Sequence, residues 1–411
     1  MYKYVYFISI IFTSSCSIIL PFYTEIKNKE YLNFSDRYFI NNETIDFYIG
    51  NPIQKIPVYI KFHYFPFYIS VFSNIYNPKI SSTYKQISQR INFCMLHQIA
   101  IQGFISEETF NFIDIENKNL TANNLTFFLE TIPLYNISGI LGLNLIGQID
   151  NTNYSLLYNL KKNNLIKNYT WTYEYIDDKK EKGKLIIGEY PHIYNPKKYK
   201  KEKLKFIKAD LVGSFINWYI LFNTIKIGIF SINIRKCLLE LEFGLIKGNK
   251  QLEEIIINNY FKGKKFEKTK EHNYYIYYFR DKSIIEGFPY MNFTIKELNQ
   301  NFILTKEDLF TEFKGYYCLN IVFPEYDEIV PFWILGKIFL KKYQFIFDFN
   351  AKIIGYYTEN ISSSKPYFVI FLIFLLIILI FFFISFYFKL TKKRKIRQNE
   401  INDIYEYISQ D

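Results

Sequence analysis

Apolar positions along most of the chain fall in short runs rich in β-branched and aromatic residues, and turn residues separate the runs. The strand candidates of this kind are Phe47–Ile49, Val58–Ile60, Ile99–Ile105, Leu185–Ile187, Trp218–Ile227 and Phe345–Phe349. Amphipathic helical patterns are few, and the better helix candidates are Leu156–Leu165 and Gln251–Phe261. Short extended runs with little helical periodicity predict a mostly-β protein.

An apolar run near the start of the chain, Tyr4–Leu20, follows a single basic residue, Lys3, and has small residues at positions 14–17. This order is typical of a secretory signal peptide. An uncleaved membrane anchor is the alternative, and the run is short for one. We therefore predict a leader over residues 1–20 and export of the chain that follows.

A second apolar run, Tyr367–Phe388, has no charged residue and is long enough to cross a bilayer as a helix. A basic cluster, Lys389–Arg397, follows it directly. Because basic residues stay on the cytoplasmic side, the pattern predicts a single-pass type I membrane protein. Its ectodomain would be luminal or extracellular, its C-terminus cytoplasmic, and its first partner the lipid bilayer.

Composition excludes several classes of protein. The chain of 411 residues is 49% hydrophobic, 22% charged and 20% aromatic, with 12 Pro, which excludes disordered and collagen-like chains. The formal net charge is +11, but no recognised nucleic-acid-binding motif concentrates it. We therefore predict no nucleic-acid partner. A lysine-rich segment, Lys197–Lys208, favours a solvated connector, with a docking surface for an acidic partner as the alternative.

Sequons and cysteines fit an exported chain. The glycosylation candidates, all ahead of the predicted membrane helix, are Asn33, Asn42, Asn119, Asn124, Asn136, Asn153, Asn168, Asn292 and Asn360. If Cys16 leaves with the leader, Cys94, Cys237 and Cys318 remain. Three cysteines cannot all pair within one chain, so at least one is free or pairs between chains, and the pairing stays open.

Several local motifs occur in a fixed order along the chain. They are Tyr48–Gln54, Tyr76–Tyr84, Gly103–Phe110, Ser138–Leu143, Gly183–Gly188, Trp333–Tyr343 and Phe347–Tyr356. Each alone could arise by chance, but together they resemble the pepsin family of aspartic proteases in order and spacing. The resemblance implies an all-β, bilobal pepsin-like fold, to which the predicted C-terminal transmembrane helix is added.

The resemblance also implies domain boundaries. We expect the signal peptide at 1–20, an N-terminal segment at 21–44, the N-terminal lobe at 45–190, a connector at 191–208, the C-terminal lobe at 209–358, a juxtamembrane linker at 359–366, the transmembrane helix at 367–388 and a basic tail at 389–411.

Pepsin-like hydrolysis needs two carboxylates that share a proton, one from each lobe. The resemblance places Lys61 at the first of these positions and Glu240 at the second. The first lobe offers no replacement, because no Asp or Glu occurs between Asp46 and Glu107. A lysine facing a glutamate favours two ionised groups in a salt bridge, so both positions are interpreted as non-functional in catalysis.

The remaining features of the family are also altered. Leu96 stands at the flap position that the family fills with Tyr, which makes substrate closure of the usual kind doubtful. Cys318 matches a family disulfide position whose usual partner is absent here. The four histidines lack the spacing of a zinc site, and no nucleotide-binding motif occurs. We therefore expect no metal and no cofactor.

The favoured hypothesis is a membrane-anchored pseudoprotease that acts by binding or scaffolding, with a peptide or protein ligand in the interlobe cleft. Aromatic residues after Lys61 could instead fill that cleft; they are Phe62, Tyr64, Phe65, Phe67 and Tyr68. The alternatives are an active aspartic-type endopeptidase with a non-standard dyad, carrying out proteolysis at acidic pH, and a structural surface protein. The oligomeric state and any substrate are left open.

Overall fold

A computed structural model describes residues 17–24, 43–62, 67–71, 75–94, 100–116, 118–132, 137–143, 155–177, 182–212, 215–234, 236–271, 273–326, 333–358, 376–384, 386–387, 389–395 and 397. The chain divides into two compact units, residues 1–358 and 359–411. Each unit is considered by itself.

Strands dominate the first unit. In chain order they are β1 Ile18–Thr24, β2 Glu43–Ile49, β3 Gln54–Lys61, β4 Tyr68–Ser70, β5 Lys85–Gln86, β6 Ile91–Cys94, β7 Ala100–Ile113, β8 Asn119–Ile132, β9 Gly139–Gly142, β10 Thr170–Asp177, β11 Lys182–Ile187, β12 Leu204–Lys208, β13 Asp210–Val212, β14 Phe215–Leu221, β15 Thr224–Ile227, β16 Phe230–Asn233, β17 Lys236–Leu239, β18 Ile246–Lys247, β19 Glu267–Glu271, β20 Tyr274–Phe279, β21 Met291–Ile295, β22 Gln300–Leu304, β23 Phe310–Phe313, β24 Tyr316–Leu319, β25 Ile321–Pro324, β26 Trp333–Leu335, β27 Phe345–Asp348 and β28 Ile353–Tyr357.

Helices are short and lie between the strands. They are α1 Leu156–Lys162, α2 Pro191–Tyr194, α3 Lys250–Ile256, α4 Ser283–Glu286, α5 Lys306–Leu309 and α6 Lys337–Lys342, with 3-10 turns at Pro78–Ile80, Lys201–Lys203 and Lys296–Leu298 and a π turn at Ile257–Phe261.

The large sheet has 14 strands among the described residues, and it contains both the first and the last of the described strands, β1 and β28. Its order is β12-β28-β27-β10-β11-β1-β2-β3-β9-β4-β8-β7-β5, with β6 paired to β7. Strand β3 shows why these segments form half-buried strands, because Ile56, Val58 and Ile60 alternate with partly exposed neighbours and are fully buried. The mostly-β expectation is confirmed.

The second half of the unit forms a sheet of ten strands and a sheet of four within the part of the chain that is described. The ten-stranded sheet runs β13-β14-β17-β26-β18-β25-β20-β24-β23, with β19 on β20, and the small sheet runs β16-β15-β21-β22. The run Trp218–Ile227, predicted as one strand, is two strands. The chain breaks at Asn223, whose side chain accepts a hydrogen bond from the Lys296 backbone N–H at 2.7 Å.

Strand β1 begins inside the predicted leader. Ile18 and Leu20 are 3% and 1% exposed and lie opposite Ile187 and Leu185 of β11. The expected boundary after residue 20 therefore falls within a buried strand of the large sheet.

The predicted solvated connector is anchored at Glu174. This carboxylate is 6% exposed and pairs with Lys198, which lies in the lysine-rich segment, and with Lys184 at 2.9 Å. It also accepts hydrogen bonds from the hydroxyls of Tyr194 and Tyr199 at 3.0 and 2.8 Å. Burial by itself raises the pKa of Glu174, but the hydrogen bonds and charges of the two lysines outweigh it and lower the pKa.

A buried ion pair joins the second half of the unit to the large sheet. Lys337, the first residue of α6, lies 2.7 Å from Glu43 at the start of β2, and their side chains are 4% and 0% exposed. The Tyr175 hydroxyl donates to the same carboxylate at 2.7 Å. Removing either charge would leave the other buried without compensation, so this contact fixes α6 against β2.

The second unit contributes helical residues between 376 and 397. Among the described residues, no helix is both long and apolar enough to span a membrane. The predicted span begins at residue 367, and residues 367–375 lie outside the described part of the chain.

Gly336 sits where β26 meets α6, tightly against the chain that follows β17. A Cβ on this residue would lie 1.9 Å from the Phe243 carbonyl oxygen and 2.2 Å from that of Leu245. Both neighbours are backbone atoms, so neither can move aside without displacing the sheet.

We expect Gly336→Ala to lower the free energy of unfolding by about 3 kcal/mol, because the added methyl overpacks a rigid site. Gly287→Ala is the matched control, since a Cβ there meets nothing within 4 Å. Urea denaturation of both variants measures the difference. Equal stability of the two variants would contradict the close approach.

We expect Glu174→Gln to lower the free energy of unfolding by about 2 kcal/mol near neutral pH, since it removes charge-assisted hydrogen bonds. A carboxyl whose pKa is lowered by folding stabilises above its unfolded pKa, about 4.3, and loses that contribution as pH falls through the folded pKa. The difference between wild type and variant should therefore shrink below about pH 4.3. Urea denaturation from about pH 3 to 7 tests this, with Glu116→Gln on an exposed ion pair as the control.

Candidate functional site

Lys61 is the last residue of β3, and the sheet fixes its backbone. Strand β3 runs parallel to β9, with Lys61 opposite Gly142. The Leu143 N–H donates to the Lys61 carbonyl oxygen at 2.8 Å. The Lys61 side chain is 16% exposed, so its ammonium lies near the surface of the packed interior rather than in open solvent.

Glu240 has the corresponding position in the ten-stranded sheet. Strand β17 runs parallel to β26 with Leu239 opposite Leu335, which places Glu240 one step further on, beside Gly336. Its N–H donates to the Leu335 carbonyl oxygen at 3.2 Å. Each half of the chain thus carries a strand beside an Ile-Leu-Gly segment, and each predicted dyad position lies next to the glycine of that segment.

A third residue, Glu242, links the two sheets. Its Oε2 lies 3.6 Å from Lys61 Nζ, and its Oε1 accepts a hydrogen bond from the Phe62 N–H at 3.0 Å. The Glu242 side chain is 11% exposed. One carboxylate from the second half therefore binds two consecutive residues at the end of β3.

Sequence reasoning missed Glu242 because it paired Lys61 with Glu240 on the basis of motif position alone. The strand ends at Leu239, and Glu240 and Glu242 both lie in the short segment that follows it. The acidic residue only two positions after Glu240 was the available signal.

The ion pair at this site joins an ammonium to a carboxylate. A carboxylate dyad works because like charges keep one proton between the two groups, so that one acts as base and the other as acid. An ammonium near a carboxylate has the opposite preference, because each charge stabilises the other. Lys61 also has no acceptor with which to take a proton from water while it is ammonium.

Aromatic side chains form the floor beneath Lys61. Phe62 packs edge-on against Trp171 and Phe347, with ring centroids 4.8 and 5.4 Å apart. Trp171 stacks on Phe347 at 4.0 Å, and Trp218 packs on Phe347 at 4.9 Å. The Trp218 indole N–H donates to the Leu143 carbonyl oxygen at 2.8 Å. All four rings are at most 2% exposed, so the aromatic floor is a buried, closely packed cluster.

Other aromatic residues of the segment after Lys61 are also buried where they are described. Phe67 is 1% exposed and Tyr68 is 0% exposed, while Tyr64 and Phe65 lie outside the described residues. Packing, the favoured expectation for these residues, agrees with the burial of Phe62, Phe67 and Tyr68. The flap position Leu96 also lies outside the described residues.

A cavity of about 790 Å³ opens beside the long β7–β8 hairpin. Its apolar walls include Phe104 and Leu129, and its rim includes Tyr76, Lys79 and Tyr84. The Tyr76 hydroxyl is held inward by a 2.9 Å hydrogen bond to the buried Glu108. Burial, followed by the charge of Glu108, raises the pKa of Tyr76 far above its ordinary value. The Tyr76 side chain is therefore neutral, and its hydroxyl is held in place in the lining of the cavity.

Metal-ligating and nucleophilic residues offer little further chemistry. Among the described residues, no group of three or more His, Cys, Asp or Glu could hold a metal. His192 bonds the Tyr357 hydroxyl at 2.8 Å and stacks on Tyr190, which is a structural role. Cys237 and Cys318 are free and buried, and burial raises the pKa of the Cys318 thiol to about 12. Both thiols are unreactive in this environment.

The described sequons differ in exposure. Asn119 and Asn124 are exposed on β8, whereas Asn168 and Asn292 are half-buried and the Oδ1 of Asn292 is fully buried. The candidates outside the described residues are Asn33, Asn42, Asn136, Asn153 and Asn360.

Comparison with known proteins agrees with this geometry. The family model described as "Eukaryotic aspartyl protease" matches residues 68–358, most of the chain. The chain belongs to this family. The match begins after Lys61 and Phe62, so the predicted first dyad position lies outside it. Searched against curated proteins, the sequence gave no significant match.

Among solved structures, the family member resembles basic 7S globulin from soybean, with a TM-score of 0.65 at 13% sequence identity. The alignment covers 85% of this chain and 96% of the globulin. At this identity the likeness concerns the fold alone, and it supports the pepsin-like interpretation of the ordered motifs.

We expect Lys61→Met and Glu242→Gln to show a coupling of about 1 kcal/mol in a double-mutant cycle, because the pair is largely buried. Glu242→Gln alone should lower the free energy of unfolding by about 2 kcal/mol, since the charged acceptor of the Phe62 N–H is lost. Urea denaturation of the four proteins measures both quantities.

The control cycle uses Lys85→Met and Glu107→Gln, a pair 4.0 Å apart whose lysine is 72% exposed. An exposed pair should show almost no coupling. A Lys61–Glu242 coupling as small as that of the control would refute a stabilising link between the sheets.

Proposed function

We propose that this chain is a membrane-anchored pseudoprotease of the eukaryotic aspartyl protease family, which binds a peptide or protein ligand and does not hydrolyse it. The observation that carries the proposal is Lys61, an ammonium at the end of β3 that is bound to Glu242 at 3.6 Å. A positive charge at a dyad position removes the group that would activate water.

The packing around Lys61 supports the same conclusion. The Phe62 ring is 2% exposed in the aromatic floor, and its N–H is already bound by Glu242. The Lys61 ammonium and the Phe62 N–H are thus both held by the Glu242 carboxylate, so the proposal rests on two contacts and not on Lys61 alone.

A binding role is supported by the cavity beside the β7–β8 hairpin. Its volume of about 790 Å³ is within the ordinary range of ligand sites. Apolar walls with a few fixed polar groups suit a peptide side chain, and the edges of the neighbouring strands could pair with the peptide backbone.

Export and anchoring are part of the proposal. The uncharged run Tyr367–Phe388 and the basic cluster after it favour a type I anchor. Apolar side chains in the described helical residues are exposed, including Phe381 at 75% and Phe383 at 72%. A bilayer would cover such residues. The exposed Asn119 and Asn124 are the sequons best placed to carry glycans.

The alternative is an active acid endopeptidase, which family membership alone favours. It requires a second carboxylate near Glu240, and Glu242 is the described candidate. Two acids two residues apart on one segment differ from the family's arrangement of one acid from each lobe.

We expect the purified full-length protein in detergent to produce no pepstatin-sensitive cleavage of a denatured protein mixture between about pH 3 and 7, the range of carboxyl titration. Pepsin added to the same detergent is the positive control. Cleavage that pepstatin blocks and that Glu240→Gln or Glu242→Gln abolishes would refute the pseudoprotease and identify the acid responsible.

A further inference from the structure

The start of β1 limits where a leader can end. Ile18, Leu20 and Phe22 are at most 3% exposed and are the inward-facing residues of this strand. The pairing of β1 with β11 begins at Ile18 opposite Ile187. A cut after residue 20 would remove two of these three buried side chains, whereas a cut just before Ile18 keeps the strand whole.

A buried carboxylate lies beside this end of β1. Glu189 is 4% exposed and follows β11 by two residues. Since Ile18 lies opposite Ile187 in an antiparallel pair, Ser17 lies opposite Gly188, next to Glu189. The Ser17 hydroxyl donates a hydrogen bond to the Glu189 carboxylate.

Glu189 lacks the partners that a buried carboxylate needs. Its Oε2 is buried and has no hydrogen-bond partner among the residues that the structure describes. Burial raises the pKa of Glu189, while Lys167 through space and the Ser17 hydroxyl act in the opposite direction. A buried acid with one neutral donor is poorly satisfied, and a cation at this place would correct it.

The sequence supplies such a cation if the chain is cut in one place. Ser14 and Cys16 are small residues at the third-last and last positions of a leader that ends at Cys16, as leader cleavage requires. The new terminal residue would be Ser17. Its α-nitrogen is bonded to the Cα, whose Cβ carries the hydroxyl that binds Glu189.

We propose that the leader is removed between Cys16 and Ser17, and that the α-ammonium formed on Ser17 pairs with Glu189. A leader-removing endopeptidase hydrolyses the peptide bond between the Cys16 carbonyl carbon and the Ser17 nitrogen. Water supplies the hydroxyl of the new Cys16 carboxyl group and one hydrogen of the new amine, which then takes up a proton. This inference rests on the export included in the proposed function.

The proposed ion pair links removal of the leader to the stability of the large sheet. Before the cut, the Ser17 nitrogen is a neutral amide and Glu189 is left with a hydroxyl donor. After the cut, a positive charge lies at the start of a strand in the middle of the large sheet. Removal of the leader would thereby stabilise the pairing of β1 with β11.

The first experiment is N-terminal sequencing of the full-length protein purified from membranes of a secretory eukaryotic cell. The expected terminus is Ser17. A terminus at Pro21 or further along, in protein that carries glycans, overturns this inference and leaves export intact. A terminus at Met1 without glycans overturns both this inference and the export.

The second experiment tests the pair itself by the pKa of the Ser17 α-amine, measured by NMR after reductive ¹³C-methylation. An unpaired α-amine titrates near 7.7–8.0. We expect a value raised by roughly one unit or more in the wild type, since a nearby carboxylate favours the charged amine. An ordinary pKa for the wild-type α-amine overturns the proposed ion pair with Glu189, whatever pKa the variants give.

Two variants then test which carboxylate raises the pKa of the Ser17 α-amine. Glu189→Gln should return the pKa of the α-amine to its ordinary range, and Glu202→Gln, which removes an exposed carboxylate, should leave it raised. A shift that survives Glu189→Gln assigns the pairing to another group and overturns the proposal.

Discussion

The pairing of β10 with β27 holds the two ends of the folded unit in one sheet, and the site depends on it. Trp171 lies opposite Phe347 in this pairing, and their rings stack at 4.0 Å. Phe62 packs on both rings, which fixes the backbone just after Lys61. Glu242 can bind the Phe62 N–H only because that backbone is held in place.

Other contacts besides this pairing also join the two halves of the unit. Among the described residues, these contacts include the Lys61–Glu242 ion pair, the aromatic floor and the buried Lys337–Glu43 ion pair. None of these contacts needs a shared proton. Because cores of matching volume and pattern tolerate extensive substitution, such a scaffold can keep its geometry when residues at the site change. The fold therefore does not by itself determine activity.

Much of the fold could be predicted from local sequence. Ordered motifs and β-branched runs located β2, β3, β11 and β27, because strand formation and turns are read from neighbouring residues. The break at Asn223 was missed, since it depends on a hydrogen bond from Lys296, which is distant in sequence. The predicted leader boundary falls inside β1, and it stays a prediction. Apolar residues of a leader and of a buried strand look alike until a partner strand is known.

At the site, the sequence by itself predicts Lys61 at the first dyad position, and it determined that no acid lies between Asp46 and Glu107, because residue identity suffices for that. It also determined the family through the order of its motifs. The tertiary structure alone decided that Glu242 binds Lys61, that Phe62 belongs to a closed aromatic floor and that Ser17 lies beside Glu189. Those contacts join residues that are far apart in the chain, and only the pairing of distant strands sets their distances.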